Sequence, residues 1–94
     1  MKIPEKVKIG GLNYAVAVTE HLKSGQDAYG EILTLELKIN LRPTCEERQK
    51  IALLHEIIHG IDDHLGYIID DERKVHELAA ALYQVIIDNP ELFS

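Results

Sequence analysis

The chain has 94 residues, enough for a single domain spanning 1–94. With 46% hydrophobic and 28% charged residues it reads as globular, but a chain this short buries only roughly 60–65% of its unfolded surface, so a bound metal or a partner would add to a modest core. Sixteen acidic against ten basic residues leave a net charge of −6, which argues against nucleic acid and against an anionic membrane surface as partners.

Val7 and Ile9 alternate with charged residues, Gly10-Gly11 signals a turn, and Leu12, Tyr14, Val16 and Val18 resume the alternation. Residues 7–18 therefore read as a β-hairpin, followed by a polar loop over 19–27. Tyr29 to Leu41 has the clearest period of two, with Leu33, Leu35, Leu37, Ile39 and Leu41 on one face, and reads as one long strand. Arg42-Pro43-Thr44 ends it. Thr44 and Glu47 have the spacing of a capping box, which predicts a helix from Cys45 to about Leu65, stopped by Gly66. Asp70 or Asp71 can cap a second helix that runs to about Asp88, where Asn89-Pro90 stops it. Strands followed by two helices predict an α+β domain, a small and mostly antiparallel sheet packed on two helices.

Residues 55–59 read His55-Glu56-Ile57-Ile58-His59, inside the first predicted helix. Two histidines four apart on a helix stand 40° apart and one turn above each other, so both imidazoles can reach one Zn²⁺. Glu56, on the adjacent flank, can then take a proton from a metal-activated water. The histidines border an apolar stripe of Ile51, Leu53, Leu54, Ile57, Ile58 and Ile61, which places them in a half-buried setting. A third ligand can come from His64, Glu72, His76 or Glu77. On the second helix His76 sits at the edge of the apolar arc, Glu72 lies one turn earlier and 40° away, and Glu77 falls on the polar face; His76 is therefore placed first and Glu72 second. Asp62 reads as an acceptor for a ligand N–H, as an alternative ligand or, with Asp63, as a solvated helix end. Tyr83, Tyr67 and His64 are candidates for stabilising an oxyanion. Cys45, ten residues before His55, is too far along the helix to share the ion.

The stretch Leu53-Leu54-His55-Glu56-Ile57-Ile58-His59-Gly60-Ile61-Asp62 resembles the active helix of small zincin-like metallopeptidases, the minimal ImmA/IrrE-type proteins of phages and mobile elements. Leu78-Ala79-Ala80-Ala81-Leu82-Tyr83-Gln84-Val85 with Asp88-Asn89-Pro90 is similar to their closing helix. Gly10-Gly11-Leu12-Asn13-Tyr14 and Tyr29-Gly30-Glu31-Ile32 resemble their opening strands. The resemblance implies a zinc-dependent peptidase acting on a peptide or protein, with Glu56 as base and His55 and His59 as ligands. It also implies a carboxylate ligand from the closing helix, and its register falls on His76, a departure from Glu to His. The alternative expectation is a metal-stabilised interaction module that does not cleave. A lone cysteine, no ~18-residue apolar run and an N-terminus without a signal-peptide core make the expected setting cytoplasmic. The strand before the active helix is expected to offer an edge to which an extended substrate adds.

Overall fold

In the computed structural model, which describes residues 1–69 and 71–93, the chain is an α+β domain. Strands β1 (Lys6–Ile9), β2 (Leu12–Val18), β3 (Gly30–Leu33) and β4 (Lys38–Leu41) precede helices α1 (Glu46–His64) and α2 (Glu72–Asp88); a 3-10 turn over Pro90–Phe93 follows. The described strands form one sheet in the order β1-β2-β4-β3. The β1–β2 and β3–β4 pairs are antiparallel and β2–β4 is parallel.

The Gly10-Gly11 turn forms as expected. Both glycines have positive φ, 57° and 83°, the handedness that a two-residue hairpin connection needs and that L side chains resist. The long strand expected over 29–41 does not form. It folds back on itself as the β3–β4 hairpin, with Leu37 at φ 56° in the turn and Leu35 99% exposed. The reason is size. Thirteen extended residues would run ~43 Å, whereas the longest dimension of the domain is 33 Å. The hairpin makes β4 an interior strand, with Ile39 and Leu41 fully buried, and moves the sheet edge to β3.

α1 packs on β1, β3 and β4, while the backbone of α2 approaches α1 and, among the described residues, comes near no strand. One apolar cluster, Ile9, Tyr14, Ile39, Leu41, Ala52 and Leu53, lies between sheet and α1. A second, Leu54, Ala79, Tyr83 and Ile86, lies between α1 and α2. The histidine-bearing helix is thus the middle layer. Of the alanine run, Ala79 is fully buried against α1, and Ala80 and Ala81 are exposed.

The helix starts differ from one another. Cys45 is the N-cap of α1 and makes no side-chain cap, so the capping box expected of Thr44 and Glu47 is not formed; the Thr44 carbonyl instead accepts from Gln49 Nε2 at 3.2 Å. Asp71 caps α2, its Oδ1 accepting from Arg73 N at 2.9 Å. The alternative cap, Asp70, lies outside the described residues.

Gly60, one residue after His59, lets α1 lie close to the sheet. A Cβ there would stand 2.8 Å from Ile9 Cδ1 and 3.0 Å from Ile32 Cδ1. Gly60→Val should therefore cost about 1–3 kcal/mol through overpacking, a fall in Tm on the order of 10 °C by thermal denaturation.

Candidate metal centre

His55 and His59 project from one face of α1, as four-residue spacing on a helix requires, with their Nε2 atoms 3.1 Å apart. The third group is Glu72, in the first turn of α2. Its Oε1 lies 2.5 Å from His55 Nε2 and its Oε2 2.8 Å from His59 Nε2. These three residues each offer a ligand atom within 4.8 Å of the others, and they form the one group of three such side chains among the described residues.

The donor set suits zinc: two imidazole nitrogens and a carboxylate oxygen. Tetrahedral ligands ~2.0–2.1 Å from an ion stand ~3.3 Å from one another. The histidine nitrogens stand 3.1 Å apart and one ligand atom from each residue lies within 4.8 Å of the others, a set that small side-chain shifts can bring to that spacing. Burial holds the His55 imidazole below its ordinary pKa, against the opposing pull of Glu72, and so favours the neutral form that ligates metal.

His76, placed first on sequence grounds, stands outside this group. It is exposed, and its ring centroid lies 6.0 Å from that of His55. Helix angle puts Glu72 and His76 on the same side of α2 but says nothing about their height along α1. It is the first turn of α2, through Glu72, that stands level with the histidine pair. Asp62 is tied to the connection between the helices: it is 5% exposed, and its Oδ1 accepts from Ile69 N at 2.8 Å. Glu77 points away, in an ion pair with Arg73 at 2.9 Å.

Glu56 is 6% exposed and makes no hydrogen bond within the described residues. Burial, reinforced by the charges of Glu72 and Glu31, pushes its pKa up to about 8. With the histidines and Glu72 it lines a cleft of about 970 Å³. The edge strand β3 forms the other wall through Gly30, Glu31 and Ile32, where a Cβ on Gly30 would lie 3.4 Å from Glu56 Oε2.

Of the residues considered for an oxyanion, Tyr67 lines this cleft, its hydroxyl donating to Asp63. Tyr83 is instead part of the core between the helices, and the His64 ring lies beside Gly10 at the β1–β2 turn.

Two cleft residues carry no signal in the motif. Glu31 is 4% exposed and accepts from Ser24 N (2.8 Å), Ser24 Oγ (3.0 Å) and Asn40 Nδ2 (2.8 Å), which ties the 19–27 loop to the sheet. Burial pushes its carboxyl up, but these hydrogen bonds outweigh burial and hold it below its ordinary value. Arg48 lines the far end, seven residues before His55, a spacing that returns to the same helix face.

Comparison of the chain with protein-family models, with curated proteins and with solved structures gave no match. Among the described residues no helix is long and apolar enough to cross a membrane.

Proposed function

We propose that this protein is a zinc-dependent metallopeptidase in which His55, His59 and Glu72 hold the ion and Glu56 is the general base. The observation that carries this reading is the convergence of two imidazoles and a carboxylate from separate helices on one point, beside the largely buried carboxylate of Glu56, which has no hydrogen-bond partner among the described residues. A carboxylate from the closing helix is also what the resemblance to zincin-like peptidases implies, here contributed by Glu72 and not by residue 76. Zinc held there supplies a Lewis acid that lowers the pKa of a water toward ~7.

The chain's own residues do the rest. The peptide lies in the cleft along β3, whose outward backbone groups are free to pair with an extended segment because β3 is the sheet edge. Glu56 takes a proton from the attacking water and passes it to the leaving amine. The buried setting of Glu56 excludes bulk water, and in the metal-free protein burial pushes its pKa up to about 8. The acidic surface and the single exposed thiol of Cys45 fit a cytoplasmic setting.

The test is elemental analysis of gently purified protein, paired with hydrolysis of a quenched-fluorescent peptide library. One equivalent of zinc and chelator-sensitive cleavage are expected. Stoichiometric zinc with no cleavage of any library member would favour a metal-stabilised interaction module, and substoichiometric zinc would overturn both readings.

A further inference from the structure

Arg48 stands two turns before His55 on the same face of α1, ~10.5 Å away along the axis. Its Nη1 donates to the Tyr29 hydroxyl at 2.6 Å, and its guanidinium carbon lies 5.4 Å from the Tyr29 ring centroid. Tyr29 thus steadies the guanidinium at the cleft wall. Lys23, Lys50 and Arg73 pair with Glu36, Glu46 and Glu77, while among the described residues Arg48 is the one lysine or arginine that lines the cleft, with its side chain exposed there. Arg48 has no such partner among the described residues, and its Nε and Nη2 have no acceptor there. In a chain of net charge −6, an unpaired arginine held at one end of a cleft is a site for an incoming anion.

The cleft is also polarised. Beyond the histidines along α1 it carries Asp62 and Asp63. β3 runs in the same direction as α1: Tyr29 meets Arg48, Gly30 lies by Glu56, and Ile32 lies by Gly60. A peptide that puts its positive N-terminal side at the aspartates and its negative C-terminal side at Arg48 therefore runs antiparallel to β3, the commoner and slightly more stable strand pairing. Charge and backbone pairing select the same orientation. At ~3.3 Å per extended residue, ~10.5 Å corresponds to about three residues.

We propose that Arg48 is a specificity-determining residue that binds a carboxylate about three residues to the C-terminal side of the scissile bond, either the peptide's own C-terminus or an Asp or Glu side chain. The inference rests on the peptidase reading for its register, though the carboxylate contact itself does not need turnover.

The test uses four fluorescent alanine-rich hexapeptides: one with a free C-terminus, its C-terminal amide, an amidated peptide with an internal Glu, and the same peptide with Gln. Cleavage (kcat/KM) is measured on the zinc-loaded protein. Affinity is measured by anisotropy on zinc-loaded Glu56→Gln, where binding is read without hydrolysis. The carboxylate member of one or both pairs should be favoured by ~10-fold or more, the worth of a charge-assisted hydrogen bond. The free-acid/amide and Glu/Gln pairs tell which source of carboxylate is used.

Arg48→Ala, in either background, should bring that ratio close to one, and Arg48→Lys should keep part of it. Arg48→Glu should reverse the preference toward an internal Lys. An undiminished ratio in Arg48→Ala, or no preference in the parent protein, overturns the proposal. If no peptide is cleaved while Glu56→Gln still shows the Arg48-dependent preference, the peptidase reading falls and the carboxylate subsite stands.

Discussion

Glu56→Gln should retain a full equivalent of zinc and hydrolyse peptides about 10²- to 10⁴-fold more slowly, the usual span for loss of a positioned general acid–base. The amide is isosteric and cannot accept the proton. Glu56 is not one of the three groups whose ligand atoms converge, so the metal set is untouched.

The same substitution has a second signature in metal-free protein. The Glu56 pKa rises from an ordinary 4.5 to about 8 on folding. As pH climbs between those values, the unfolded chain gives up a proton that the folded chain keeps, so the wild type loses stability across that window. Gln has no proton to lose. Urea denaturation should therefore find the two proteins alike near pH 4, with the variant ahead by on the order of 3–5 kcal/mol above pH 8. Equal pH dependence in the two proteins would place the carboxyl in a more polar setting than the cleft provides.

The second large effect separates the two candidates for the third ligand. Four-ligand structural zinc sites are worth ~10–16 kcal/mol, so one protein ligand accounts for a few, and Glu72→Ala should weaken zinc binding by ~10²-fold or more in a competition titration. His76→Ala should change it by less than ~10-fold, since its ring stands clear of the converging atoms. Glu72→Ala also removes the carboxylate paired with both imidazoles, so His55, whose pKa Glu72 pulls upward against burial, should titrate lower still in the metal-free variant by NMR. The reverse ranking, with His76→Ala the more damaging, would mean that α2 shifts by one turn when it takes up metal.

What the sequence makes legible here is what depends on local periodicity. His55 and His59 share a face because four residues on a helix always do, and Gly10-Gly11 and Asp71 act through their own backbone chemistry. The failures are of longer range. The leucine alternation through 33–41 is sound as a strand pattern, but only the size of the domain says that the strand must turn back. The preference for His76 over Glu72 is a matter of height between two helices, which helix angle does not carry. Glu31 looks like any strand glutamate until the fold brings Ser24 and Asn40 to it, and nothing in the local pattern pairs the exposed Arg48 with Tyr29.

The layering of the domain assigns different mechanical roles to its two helices. α1 is gripped from both sides, by the sheet through Leu53 and by α2 through Leu54. α2 has a single seam, with Ala79, Tyr83 and Ile86 buried along it and Leu78, Leu82 and Val85 left in solvent. Glu72 sits at the open end of that seam, opposite the two imidazoles. An ion bridging them would act as a rivet between the helix held on two sides and the helix held on one, so that the cleft takes its working shape and the small domain gains a further fastening in one and the same event.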